Sequence, residues 1–318
     1  MGYTTRIPKP TLLIVGANQL PTPQLLPTLR QKHRLVLLDP ADAGNSDDLH
    51  VSKLSQIDDN LDIDGCIFFS EVRPFSRRWT ERNQKHLLSQ QRKEILELMG
   101  FFENRTTAPS FILMDSSTNL YGLRKHKRIF ECATTQPIFI SRFYQQAEAL
   151  AQARARKLGS RLVPLRMGQV LSASGGIASQ PFQIFGDNTQ WLPWIHERDF
   201  VSLVSFVIDN PRVHQAVNVC SAHPETLEYF GQELRASRPK RWSLKLPQVL
   251  ISNFVGSRGR LLWNGQRALP GEALKHGFVF EYKKLPEALH ALARDAESLA
   301  TRVEIDTQVT SKKAAAES

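Results

Sequence analysis

Short apolar runs separated by polar turns recur along the first two thirds of the chain. Leu12-Leu13-Ile14-Val15 ends at Gly16, a helical stretch follows through Leu25-Leu26-Pro27-Thr28-Leu29, and Leu35-Val36-Leu37-Leu38 returns as a second apolar run closed by Asp39. Four-residue apolar runs bounded by turn residues read as buried strands, and two of them joined through a helix run parallel. A weak strand is expected near Leu49-His50-Val51, a clear one at Cys66-Ile67-Phe68-Phe69, and another at Phe111-Ile112-Leu113-Met114 after the break at Pro109. Between the last two, Leu87, Leu88, Gln91, Ile95, Leu98 and Met99 fall at helical spacing, which predicts a long helix with an inward apolar stripe. A helix from about Phe139 to Leu158, stopped by Gly159, leads to a strand at Arg161 to Leu165. Such alternation predicts an α/β fold with a doubly wound parallel sheet.

Beyond Arg166 the alternation weakens. Gly175-Gly176 and the segment 180–189 read as loops. Phe200, Leu203, Val204, Val207 and Ile208 then give a helix beginning near Asp199, which serves as N-cap or first-turn acid, and Asn210-Pro211 ends it. A strand at Ala216 to Val219 and a helix from Thr226 follow, and a last helix is expected at Leu285 to Leu299. The expected organisation is a loose entry over 1–10, a main domain with its substrate lobe over 11–235, a small α+β domain over 236–302, and a disordered polar tail over 303–318.

With 318 residues and 41% hydrophobic content the chain can bury a large core. No apolar run approaches the roughly 20 residues of a membrane-spanning helix, and no signal-type apolar core opens the chain, so a cytoplasmic protein without membrane contact is expected. Cys66, Cys132 and Cys220 lie far apart without metal-ligand spacing, which reads as reduced thiols and no metal site. The net charge of +10 is spread over separate runs around Arg124 to Arg128, Arg154 to Lys157 and Arg238 to Arg241. Without aromatic interleaving these read as solvated faces that attract a small anionic ligand, with a nucleic-acid surface the lesser reading.

The first turn and the acid closing the second strand are where a strand–helix–strand unit holds a dinucleotide. Here Gly16 is followed by Ala17, Asn18, Gln19 and Thr22, with Pro21 and Pro23, in place of two further glycines. Larger motifs extend the picture. Arg78-Trp79-Thr80, Ser116-Ser117-Thr118 with Tyr121-Gly122, Leu165 to Leu171 followed by Gly175-Gly176, Trp194-Ile195-His196 with Asp199, and Gly265 to Pro270 occur in order along almost the whole chain. Together they resemble the atypical short-chain dehydrogenase/reductase proteins of nucleoside-diphosphate-sugar epimerase type that carry an epimerase-associated C-terminal domain. The resemblance implies a Rossmann-type sheet, an NAD or NADP cofactor and nucleotide-sugar-like substrates. A homodimer is the expected assembly.

Two departures bear on one ligand. The family's Gly-rich first turn lets backbone approach a pyrophosphate at a helix N-terminus, and its Asn-Leu-Ala-Gly type of turn after the fourth strand is Phe68-Phe69-Ser70-Glu71 in this chain. Glu71 would set a negative charge near the phosphates, so dinucleotide binding is expected to be altered or lost. In the broader superfamily a Tyr exchanges a proton, a Lys four residues on lowers its pKa, and a Ser or Thr holds the substrate. The Tyr and Lys positions fall at Ile140 and Tyr144, while Tyr121 and Lys125 repeat the spacing in a loop.

The candidate residues follow from these readings. Ser117 and Tyr121 are the catalytic candidates, and Gly16, Asn18, Asp39 and Ser70 the cofactor candidates; Asp39 would meet the adenosine ribose, favouring NAD, or simply precede Pro40 in a turn. Ser116, Arg166, His196 and Arg267 are the substrate candidates. Each has a plainer reading: strand-end hydrogen bonding for Ser116, helix capping for His196, and an internal carboxylate partner for each arginine. Two functions stand side by side, a divergent epimerase- or reductase-like enzyme and a cofactor-free pseudoenzyme that binds or scaffolds.

Overall fold

A computed structural model of the protein describes residues 9–38, 47–122, 124, 127–174, 184–185, 190–237, 245–246 and 265–298. Its centre is a sheet of seven parallel strands: β1 (Thr11–Val15), β2 (Arg34–Leu38), β3 (Leu49–Val51), β4 (Gly65–Phe68), β5 (Phe111–Ser117), β6 (Arg161–Met167) and β7 (Val217–Val219). They lie in the order β7-β6-β5-β4-β1-β2-β3. The chain therefore builds outward from β1 to β3, then crosses back and builds outward from β4 on the other side. That reversal places a crevice at the carboxyl ends of β1 and β4, where ligands of doubly wound sheets bind.

Side chains of each strand alternate between two cores. Leu12, Ile14, Leu35, Leu37 and Ile67 pack with α1 (Leu25–Lys32) and α4 (Glu197–Asp209), through Leu25, Leu29, Phe200, Val204 and Val207. Leu13, Val36, Cys66, Phe68 and Ile112 face the other way, onto Ile95, Leu98 and Met99 of α2 (Glu81–Glu103) and Ala147, Ala151 and Ala155 of α3 (Phe139–Leu158). The alanine stripe lets α3 approach the sheet closely. Gly159 at φ 71° ends that helix, a left-handed conformation that residues with a Cβ adopt only at a cost.

A third cluster holds the C-terminal part. Trp194 and Leu171 meet Leu227, Phe230 and Leu234 of α5 (Leu227–Ser237) and Leu285, Leu289 and Leu292 of a helix through 285–298. A parallel pair, Arg128–Ile129 with Arg267–Ala268, ties the segment before α3 to the same region.

One expectation is corrected and another is met. The segment 180–189, read as loop, contains the strand Ile184–Phe185 paired in parallel with Lys245–Leu246; a two-residue strand is too short to leave a periodic signal. Helix α4 starts at Glu197, with Asp199 in its first turn as expected and His196 as the cap: its Nδ1 accepts from Arg198 N at 3.1 Å. The expected tail over 303–318 and most of the loose entry over 1–10 lie outside the described residues.

Candidate functional site

The crevice is built by the turns that leave β1 and β4. Phe69 N donates to Val15 O at 2.9 Å, so the two turns start side by side. Gly16 then turns with φ 72°, and a methyl group there would run into the Phe69 carbonyl oxygen. Backbone contact and left-handed conformation together require glycine. Ala17–Gln19 coil into a single 3-10 turn with Asn18 exposed, and α1 does not begin until Leu25, with Pro27 in its first turn.

Behind Gly16 lies a cleft of about 570 Å³ whose lining includes Leu38, Lys53, Leu54, Phe68 and Glu71. Its α2 wall adds Glu94 and Glu97. Burial, and then the charges of Glu71 and Glu97, hold the Glu94 carboxyl above the ordinary range, while a hydrogen bond from Ser70 Oγ at 2.6 Å opposes them. The cleft thus has apolar walls suited to an adenine ring and an acidic rim.

A dinucleotide finds only half of what it needs here. The adenosine end has room and apolar walls, while at the phosphate end the helix start is set back beyond Pro21 and Pro23. The cation at that turn is Arg73, whose guanidinium donates to Gln19 Oε1. Asp39 and Lys125 lie outside the described residues.

Beside the cleft, at the ends of β4 and β5, Asp115 accepts from Ser70 N at 3.0 Å. Burial raises its pKa to about 7, against the pull of the Ser70 N–H and Arg73 and with a small push from Glu94. Ser117 accepts from Asn119 N at 3.2 Å and from Asn119 Nδ2 at 3.1 Å. The Tyr144 phenol stands within hydrogen-bonding reach of Ser117, and burial followed by the Asp115 charge raises its pKa. Ile140, at the other expected dyad position, is fully buried. Ser70 and Ser117 are therefore brought together around Asp115 and Tyr144.

The remaining candidates fall into two other groups. Arg166 grips Glu148 with both arms, at 3.0 and 2.7 Å, and donates to Tyr121 OH at 2.9 Å. Ser116 Oγ donates to the same carboxylate at 2.6 Å. Tyr121, fully buried, donates to Asn218 Oδ1 at 2.6 Å, and Asn218 Nδ2 reaches Leu269 O. Ser116, Tyr121 and Arg166 thus form one network that links the sheet to the C-terminal segment, apart from Ser117.

His196 sits at the other junction. It stacks on Tyr282 at 3.8 Å between ring centroids, and burial, helped by the Arg198 charge, lowers its pKa to about 4. Asp199 accepts from Glu281 N and Tyr282 N at 2.7 and 3.0 Å. Arg267 lies over the Trp191 ring at 4.1 Å.

From the sequence alone no site role falls to Asp115, Arg73, Gln91 or Glu197. An acid closing the buried run Phe111 to Met114 was a readable signal for Asp115. Glu197, 1% exposed, accepts from Thr22 Oγ1, Ser172 Oγ and Ala173 N, contacts between segments too distant in sequence to be foreseen. Among the described residues no group of acids, histidines and cysteines is arranged to hold a metal ion, and no helix is long and apolar enough to cross a membrane.

Known proteins agree with this architecture. Residues 246–292 match a family described as a domain of unknown function, DUF1731. The chain is 27% identical over 230 residues to the epimerase family protein YfhF of Bacillus subtilis, covering 70% of this chain and 76% of that protein. Among solved structures, human epimerase family protein SDR39U1 (isoform 2) with NADPH superposes with a TM-score of 0.74 at 20% identity, over 89% of this chain and 99% of that one. A UDP-glucose 4-epimerase from Thermotoga maritima with UDP-glucose gives 0.73 at 13% identity, over 91% and 99%. With the motifs in order along the same wound sheet, the chain is similar to epimerase family proteins over most of its length and shares the Rossmann-type fold of the solved epimerases.

Proposed function

We propose that the protein is an epimerase- or reductase-like member of its group that takes an NAD(P)-type nucleotide in an altered manner. The observation that carries this is Gly16, held left-handed against the Phe69 carbonyl at the mouth of a cleft of about 570 Å³ at the switch point. That close approach holds the two turns together and fixes the mouth of the cleft beside them. Leu38, Leu54 and Phe68 would cover the adenosine, and Gln19 with Arg73 would meet the phosphates in place of glycine N–H groups. Bound there, the cofactor supplies hydride exchange; the chain's own part is to enclose the base and offer one guanidinium to the phosphates. Support also comes from a relative fold that holds NADPH.

Titrating the purified protein with NADH and NADPH by calorimetry tests the reading. Binding of either is expected with a dissociation constant of about 0.1–1 mM, weaker than for an intact glycine turn. No binding at several millimolar, roughly the affinity of a single weak contact, overturns it.

A second reading, a cofactor-free binding protein that uses the old cleft, is favoured by a separate observation. Ile140 and Tyr144 occupy the expected proton-relay positions, and Glu71, Glu94 and Glu97 line the cleft. The same titration separates the two.

A further inference from the structure

A smaller, more enclosed cavity of about 200 Å³ lies between the carboxyl ends of β4 and β5, helices α2 and α3, and the segment 70–75. Its volume is below the roughly 300–1,000 Å³ of sites for drug-sized ligands. One small molecule fills it. Phe68, Met114, Phe75, Phe143 and Tyr144 supply apolar and aromatic walls.

The polar groups around it are not used up by the fold. Gln91 is 5% exposed on the inward stripe of α2, where Leu87 and Ile95 are the neighbouring buried positions. Its amide lines the cavity and hydrogen-bonds to none of the described residues. The amide therefore faces the space of the cavity, where a ligand or water can pair with it.

Charges are arranged in order of depth. Asp115 lies in the wall with one oxygen on Ser70 N, and Glu94 stands behind Ser70. Arg73 is exposed at the rim with one N–H on Gln19, leaving four of its five donors. A simple amine would meet Arg73 as a like charge, and a simple acid would meet Asp115 and Glu94. A molecule with both charges satisfies the set.

We propose that this cavity binds a free amino acid of about leucine to phenylalanine size, its ammonium group at Asp115 and Gln91 and its carboxylate at Arg73. The side chain lies among Phe75, Phe143 and Tyr144, whose ring faces also attract the ammonium. The ligand's ammonium would add a second positive neighbour to Asp115, beside Arg73. Neither reading of the nucleotide cleft is needed for this inference, although both sites draw on Arg73, so the amino-acid titration is run without dinucleotide and the dinucleotide titration without amino acid.

Calorimetry on the full chain tests it, with L-leucine, L-methionine and L-phenylalanine as probes. Isoamylamine and 4-methylpentanoate are the controls, each keeping one charge of leucine. At least one amino acid is expected to bind with a dissociation constant below about 1 mM, and both controls at least about tenfold more weakly. Arg73→Ala, at an exposed position, should weaken binding at least about tenfold with an unchanged circular dichroism spectrum, and Gln91→Leu should weaken it while filling the same volume. No heat from any of the three amino acids at about 10 mM overturns the proposal, as does a single-charge control that binds as well as leucine. Full affinity in a folded Arg73→Ala protein overturns it too.

Discussion

Replacing Asp115 by Asn is expected to change how stability depends on pH. In the folded chain burial raises the carboxyl to about 7, from an ordinary 3.8. The folded state therefore holds this proton more tightly than the unfolded state. Its contribution to stability is full below the unfolded value and is lost as pH rises through about 7. A rise of three units corresponds to about 4 kcal/mol as a ceiling, and for a partly buried carboxyl about 2 kcal/mol is the working figure. Asn keeps the shape and an oxygen for the Ser70 N–H but carries no charge at any pH. Burial raises it most, the Ser70 N–H and Arg73 pull it down and Glu94 pushes it up, while the Tyr144 phenol faces it from α3. Urea unfolding of both proteins from about pH 3 to about pH 8 is the assay. The two should be near equal at the acid end, with the variant more stable by about 2 kcal/mol at the alkaline end. A difference that stays constant with pH, or grows toward acid, refutes the reasoning.

The sheet was legible because buried parallel strands are short apolar runs and their helices carry inward stripes, both local signals. Helix Phe139–Leu158 has the bounds its composition and Gly159 suggest. The site was less legible, because it depends on which turns the winding brings together. Gly16 reads as a turn glycine, but its reason is the carbonyl of Phe69, which only the β1–β4 pairing brings near. Ser116 and Ser117 are adjacent in sequence yet serve different surroundings, Glu148 for one and Asn119 with Tyr144 for the other. Arg166 shows the same limit from the other side. Its chemistry suggested an anion, and the anion it holds is Glu148, 18 residues back along the chain on α3. Such pairings are three-dimensional facts that residue type alone leaves open.

Further perturbations probe the parts around the cavity. Glu148→Gln removes the partner of a mostly buried guanidinium, with both side chains 12% exposed, and should cost about 3–5 kcal/mol in urea unfolding; a change below about 0.5 kcal/mol would mean that Arg166 is satisfied elsewhere. Cys132, exposed, should react first with a thiol reagent, while burial keeps Cys66 and Cys220 protonated and unreactive until the chain unfolds. Asp199→Asn should loosen the segment it holds through Glu281 N and Tyr282 N, seen as faster proteolysis near 280 with the main sheet intact. Gly16→Ala joins two penalties, a left-handed residue with a Cβ and a methyl group driven against the Phe69 carbonyl. Backbone strain of that kind is worth about 1–3 kcal/mol, and the contact can be relieved only by parting the turns that leave β1 and β4. Parting them disrupts the hydrogen bond from Phe69 N to Val15 O and moves the mouth of the larger cleft. The variant should therefore lose stability and nucleotide affinity together, whereas Asn18→Ala, on the exposed part of the same turn, should leave stability unchanged. Equal stability of the Gly16→Ala and unaltered proteins would show that the two turns do not press on one another.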